Sequence, residues 1–298
     1  MTFFKRLVRR FSSIVYRYLE ICFRVLERGE FSRGGVLTLI PKFSDRQGGL
    51  GTTTYGEWCY ILGVFQSIIF FQLPKERPVL MLDVGCGVGR MYLAARIHLT
   101  DSDHYTGIDV NKRVIEICKK QFTQPNVSFL HFDASNAAYS DKKLEPPKPW
   151  PLSDGRYNLI TALSVWTHLR EEDWIFYLHE VRRTLTPDGL AIISFFVLDE
   201  RYDEICLQKS ERISRFYPQK ENRWIFDQSA YSSEEWLCPG WATVPESAIG
   251  VRKSAFDREV LNAGLVISKY YSGSWKDQPG LFFQDIVVFR ISDTTRLV

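Results

Sequence analysis

The chain has 298 residues, 45% hydrophobic and 14% aromatic, which suits one large or two small globular domains and excludes a disordered chain. A net charge of +3 is too small by itself to indicate a nucleic-acid partner. The six cysteines are scattered with no C-x-x-C pair, which argues against a zinc site or disulfide framework and fits a reducing cytosol. No signal-peptide pattern or apolar run of spanning length is evident, so the expectation is a cytoplasmic protein without a bound metal.

Residues 1–73 read as an N-terminal helix and cover segment. Phe4, Leu7, Phe11, Ile14, Tyr18, Ile21 or Cys22, and Val25 recur every three to four residues, which predicts a helix over Phe3–Leu26. Residues 1–33 hold eight Lys/Arg against three Glu. A basic amphipathic helix of this kind either rests on an anionic membrane surface through residues 3–28 or packs on its own domain or a second subunit. Packing is the simpler of the two. Glycine-rich loops flank an extended Val36–Ile40. Tyr55–Leu73 returns to helix, apolar on most sides, and suits a cover over a sheet edge or ligand mouth, with Tyr55 and Glu57 at its start.

Residues 74–298 carry the alternating pattern. Val79 to Arg90 is a buried strand that runs into Gly85, Gly87 and Gly89 and then a helix from Met91 to about His98. Glycines there permit positive φ and close approach of a ligand to the main chain. Tyr105–Asp109 is a second strand, Lys112–Phe122 a helix capped by Asn111, and Val127–His131 a third strand. Tyr157–Leu163 is a fourth strand, Glu171–Leu185 a helix, and Leu190–Leu198 a fifth strand after the Pro187-Asp188-Gly189 turn. This alternation predicts a Rossmann-like, doubly wound α/β sheet. It stops at about 199–250, a stretch rich in Tyr and Trp that reads as an acceptor-side insertion. Those aromatic residues form either the insertion's own small core or a stacking surface. Val251–Ala263 is a helix, and Leu265–Tyr271 and Leu281–Arg290 have hairpin spacing. The sheet is therefore expected to have seven strands, mostly parallel, with an antiparallel C-terminal strand.

The spacing G-x-G-x-G differs from the dinucleotide fingerprint G-x-G-x-x-G. Asp109, 20 residues beyond Gly89, suits a grip on ribose hydroxyls. Asp133 ends the third strand and suits an adenine amine. Asp83, an acid inside the first strand, needs partners if buried. It disfavours phosphate and favours a cationic ligand or a role in orienting the turn. These features leave a nicotinamide-dependent dehydrogenase as the weaker enzyme reading.

Leu82-Asp-Val-Gly-Cys-Gly-Val-Gly-Arg90 resembles the first motif of class I S-adenosylmethionine-dependent methyltransferases. Gly107-Ile-Asp109-Val110 is similar to their second motif and Phe132-Asp133-Ala134 to their third. Leu152–Ile160 with Ser164–Leu169 resembles the fourth-strand block, and Leu185–Leu190 the turn before the fifth strand. The resemblance covers Val79 to Leu198. It implies S-adenosyl-L-methionine as cofactor, with Asp83, Gly85, Cys86 and Gly87 around its methionyl portion. Asp109 and Val110 would lie at the ribose, Asp133 and Ala134 at the adenine, and Leu163 and Ser164 would close the pocket. Tyr157-Asn158 departs from the family's usual aromatic-acid pair at a structural position.

The acceptor side is less marked. His168 follows the fourth strand, where the substrate mouth opens, and is the candidate general base; its alternative role is capping or packing. The C-terminal Tyr271-Ser-Gly-Ser-Trp275 and Phe283-Gln-Asp-Ile286 resemble a bacterial subgroup associated with small-molecule or glycan modification. The expected function is methyl transfer to such an acceptor, most readily at oxygen. The non-enzymatic alternative is a cofactor-binding scaffold of the same fold.

Overall fold

A computed structural model describes residues 14–22, 39–46, 54–75, 78–134 and 145–292. Residues 14–22 are helical (α1); the rest of the helix expected over Phe3–Leu26, and most of the extended Val36–Ile40, fall outside the described residues. The chain continues through α2 (Tyr55–Gln72), β1 (Leu80–Val84), α3 (Arg90–Arg96), β2 (His104–Asp109), α4 (Lys112–Gln121), β3 (Val127–His131) and β4 (Tyr157–Ala162). Next come α5 (Glu171–Thr184), β5 (Leu185–Phe195), β6 (Val197–Leu198), α6 (Glu200–Cys206), β7 (Phe226–Ser229) and β8 (Trp236–Pro239). β9 (Gly250–Arg252), α7 (Lys253–Asn262), β10 (Leu265–Tyr271) and β11 (Asp285–Ile291) complete it.

The main sheet has seven strands in the order β10-β11-β5-β4-β1-β2-β3. β11 pairs antiparallel with both neighbours, whereas β1 to β5 are mutually parallel. The doubly wound sheet with an antiparallel C-terminal strand is thus the observed architecture. Helices cover both faces, which is why the strands read as nearly continuous apolar runs. The period of two sorts them: Met81, Leu159, Ile192 and Val288 enter the core shared with α2, α3 and α4. Leu82, Ile160, Ile193 and Val287 face the core shared with α5 and α7.

Two boundaries differ from the sequence expectation. β5 starts at Leu185 rather than Leu190, so the Pro187-Asp188-Gly189 segment lies within the strand. The chain leaves β5 at Phe196, and β6 joins a second sheet of order β6-β9-β8-β7 that organises the insertion. Phe196, Tyr202, Tyr217, Trp224, Phe226 and Trp275 are buried together there, so the insertion's aromatic residues make a core of their own. No helix among the described residues is long and apolar enough to cross a membrane.

Candidate functional site

The carboxyl ends of β1, β2 and β4 converge at the glycine turn. Gly85 and Cys86 donate from their backbone N–H groups to the Ile108 carbonyl at 2.8 and 3.0 Å, fixing the turn to the end of β2. Gly85, Gly87 and Gly89 have φ of 68°, 51° and 84°, in the left-handed region that favours glycine. Their surroundings differ. A Cβ at Gly85 would strike Val165, and one at Gly89 would lie 2.5 Å from Phe122 Cε2, whereas one at Gly87 would meet nothing within 4 Å. Gly89 therefore serves close packing, and Gly87 presents an open face.

Asp109 stands beside that face. Its Oδ2 accepts the Gly87 N–H at 2.8 Å and its Oδ1 the Asn111 N–H at 2.7 Å. Burial raises its pKa, and these two hydrogen bonds oppose the rise. Each carboxylate oxygen retains a further lone pair for a ligand hydroxyl. Phe132 donates its N–H to the Asp109 carbonyl at 2.9 Å, which brings the end of β3 to the same edge. Asp133 is exposed and Ala134 half-buried just beyond it, and Val110 is half-buried beside the turn.

Asp83 sits within β1, beneath the turn. It has no exposed surface. Its Oδ2 accepts from the Tyr105 hydroxyl at 2.6 Å and its Oδ1 from Thr161 Oγ1 at 2.9 Å. Those partners sit on β2 and β4, so Asp83 braces the three central strands beneath the turn. Burial is the largest influence on its carboxyl and pushes its pKa up to about 7. The Cys86 side chain also turns inward: its Sγ would lie 3.0 Å from a Cβ at Gly107. Burial holds its thiol well above the ordinary range, which removes it as a nucleophile. Only the Cys86 backbone belongs to the turn's surface.

After β4, Leu163 and Ser164 are half-buried, and Ser164 holds a φ of 59°. Such a conformation in a non-glycine residue persists only when neighbours hold it. Here the neighbours are polar. The Ser164 N–H donates to Ser194 Oγ at 2.7 Å, Ser194 Oγ donates to Gln284 Oε1 at 2.7 Å, and Gln284 Nε2 donates to Ser164 Oγ at 2.7 Å. Ser194 and Gln284 were not singled out as site residues from sequence. The available signal was Ser194 inside the apolar run Ile192–Phe196, and the Gln284-Asp285 pair inside Phe282–Phe289.

His168 follows on a short 3-10 turn, Trp166–His168. Its Nδ1 is 2.7 Å from the Glu246 carbonyl oxygen. A carbonyl only accepts, so Nδ1 carries the proton and Nε2 is the basic nitrogen of the neutral ring. Burial lowers its pKa below the ordinary 6.5, which keeps the ring neutral at pH 7. On the cover segment, Tyr55 lies under the Arg46 guanidinium at 4.1 Å, and the Glu57 N–H is capped by Thr54 Oγ1 at 3.3 Å. Arg46 in turn pairs with Glu20 of α1 at 2.5 Å.

A family model described as a methyltransferase domain matches residues 81–189. The chain is 31% identical over 113 residues to a phthiotriol/phenolphthiotriol dimycocerosates methyltransferase of Mycobacterium tuberculosis, covering 38% of this chain and 35% of that protein. It is 29% identical over 132 residues to a malonyl-[acyl-carrier protein] O-methyltransferase of Halalkalibacterium halodurans, covering 43% of each. The chain therefore spans well under half the length of these curated relatives. Among solved structures, the PH0226 protein of Pyrococcus horikoshii aligns with a TM-score of 0.53 at 15% identity, covering 82% of this chain and 97% of that one. That likeness extends the fold match beyond the family segment.

The cofactor of such domains is S-adenosylmethionine, and the turn fits it. Gly87 leaves open space where a Cβ would stand, and the Asp109 carboxylate is fixed beside it.

Proposed function

We propose that the chain, whose residues 81–189 match a methyltransferase-domain model, is a class I S-adenosylmethionine-dependent methyltransferase that methylates a small-molecule or glycan acceptor at oxygen. The observation that carries this reading is the open face of Gly87 with Asp109 at its rim, together with the Ser164–Gln284 network just after β4 and just before β11. The malonyl-[acyl-carrier protein] O-methyltransferase among the relatives supports oxygen as the accepting atom.

S-adenosylmethionine, when bound, supplies a methyl group on a positively charged sulfur. The main chain of Gly85 to Gly87 is assigned to its methionyl portion, Asp109 and Val110 to the ribose, and Asp133 and Ala134 to the adenine. Leu163 and Ser164 form the wall toward the acceptor. Methylation of a hydroxyl also needs its proton removed, and His168 is assigned that role. Its neutral ring presents a basic Nε2 because Nδ1 is held on the Glu246 carbonyl. The exposed apolar residues of α1, set among basic neighbours in sequence, are assigned to contact with an anionic membrane surface.

The test is transfer of labelled methyl from S-adenosylmethionine into fractionated small molecules and glycans, followed by a pH profile on the acceptor found. Turnover should fall on the acid side with an apparent pKa below 6.5, because protonated His168 cannot accept a proton, and should level off above it. His168→Gln should lower kcat by about 10²–10⁴-fold and remove that acid limb. An unchanged limb would take His168 out of the reaction. Absence of S-adenosylmethionine binding by calorimetry would overturn the whole reading.

A further inference from the structure

The insertion contains a cleft of about 630 Å³ that the methyl-transfer site does not use. Arg223 is its most unusual residue. Its guanidinium stacks on the Trp241 ring at 4.1 Å, yet its Nε is buried without a hydrogen-bond partner. Among the described residues no acid is paired with it. Burial alone lowers its pKa, with no neighbouring carboxylate offsetting the effect. A half-buried guanidinium whose Nε–H lacks an acceptor is matched by an oxyanion, which it can bind through two parallel N–H groups.

The rest of the cleft fits the same ligand. Gln219 commits its Oε1 to the Trp224 indole N–H at 2.8 Å, leaving its amide nitrogen as a donor toward the cleft it lines. Lys220 also lines it but is neutralised by Glu211, and Asp227, the cleft's one acid, is exposed. Ile213 and Ile225 add apolar wall, so the space accommodates more than a bare anion.

Packed aromatic side chains link the cleft's wall to the methyl-transfer edge. Trp241 packs edge-on against Trp224 at 5.5 Å, and Trp224 packs against Phe283 at 4.9 Å. The next residue, Gln284, holds Ser164.

We propose that this cleft binds a phosphate- or carboxylate-bearing, sugar-sized group of the acceptor, with Arg223 as the oxyanion clamp. The proposal rests on the methyltransferase reading only in assigning that group to the acceptor.

Calorimetry on the full chain with glucose 6-phosphate, glucuronate, glucose and inorganic phosphate tests it, with S-adenosylhomocysteine as a separate titrant. Glucose 6-phosphate or glucuronate should bind at least tenfold more tightly than glucose. Arg223→Gln should weaken that binding at least tenfold while leaving S-adenosylhomocysteine affinity unchanged, and Arg223→Lys should restore only part of it. In a ¹⁵N spectrum, the Arg223 Nε–H signal should move on addition of the charged sugar. Equal binding by Arg223→Gln, or no binding of either charged sugar by the wild type, overturns the cleft. Inorganic phosphate binding as tightly as glucose 6-phosphate overturns the sugar-sized part. Loss of S-adenosylhomocysteine binding in the wild type would instead strike the methyltransferase reading.

Discussion

Gly87 and Gly89 share a positive φ but not a role, and one methyl group separates them. At Gly87 an alanine meets open space, so the free protein bears only the left-handed strain, about 1–2 kcal/mol. The added carbon nevertheless occupies the proposed cofactor cradle. Gly87→Ala should therefore cost little in urea unfolding but weaken S-adenosylmethionine binding at least tenfold. At Gly89 the same carbon would lie 2.5 Å from Phe122. Overpacking then adds about 1–3 kcal/mol to the strain, and Gly89→Ala should lose more stability than Gly87→Ala. Full affinity in Gly87→Ala would remove that face from the site. Asp83 gives a second residue-scale test. With its carboxyl at about 7 in the fold against 3.8 normally, the native state keeps a proton that the unfolded chain has already lost. Stability should fall as pH rises through that window and level off above about 7, a change of about 4 kcal/mol. Asp83→Asn has no proton to lose and should flatten this slope. An unfolding free energy with the same pH dependence in both proteins would mean that Asp83 does not titrate there.

Elements whose signal is local were legible before any coordinates. β1, β2 and β3 announce themselves as short apolar runs, each followed by an acid or a glycine turn, and the Asp109 position follows from that spacing. What stayed hidden depends on partners far along the chain. Gln284 reaches Ser164 across 120 residues, and no periodicity encodes such a pair. The second sheet was equally hidden: β7 is mostly exposed and β8 wholly buried, so neither shows the alternation that reveals a half-buried strand. α1 carries the opposite lesson: the described part of the expected amphipathic helix turns its apolar residues outward. Ile14, Tyr18 and Ile21 are 61%, 74% and 62% exposed, while Glu20 turns inward to Arg46. If these residues rest on lipid, the full chain should cosediment with phosphatidylglycerol vesicles and bind phosphatidylcholine vesicles less. Ile14→Glu with Tyr18→Glu should abolish that cosedimentation while S-adenosylmethionine binding is retained. Unchanged vesicle binding, or a variant that instead turns a dimer into a monomer, would assign the helix to another surface.

At the scale of the whole molecule, the main sheet and the insertion are tied together by a buried ion cluster. Lys276 lies between β10 and β11, with its Nζ 2.5 Å from Asp199 Oδ2, 3.2 Å from Asp285 Oδ1 and 3.0 Å from the Tyr270 hydroxyl. Asp199 follows β6 as the N-cap of α6 and caps the Tyr202 N–H at 3.0 Å. Asp285 opens β11 and accepts the N–H groups of Val197 at 2.9 Å and Gly273 at 2.7 Å. Lys276 and Asp285 have no exposed surface, and burial pushes the Asp285 carboxyl up even with the lysine beside it. A single cation thus compensates two acids that hold β6, α6 and the β10–β11 loop in register. Lys276→Met keeps the volume but leaves those acids uncompensated, and should cost about 3–5 kcal/mol in urea unfolding. Adding Asp285→Asn to that variant removes one stranded charge and keeps one of the two accepting oxygens, so the double variant should be more stable than Lys276→Met alone. A loss under about 1 kcal/mol for the single variant, the scale of an exposed pair, would mean that packing of Phe196 and Trp275, not the ion cluster, joins the insertion to the sheet.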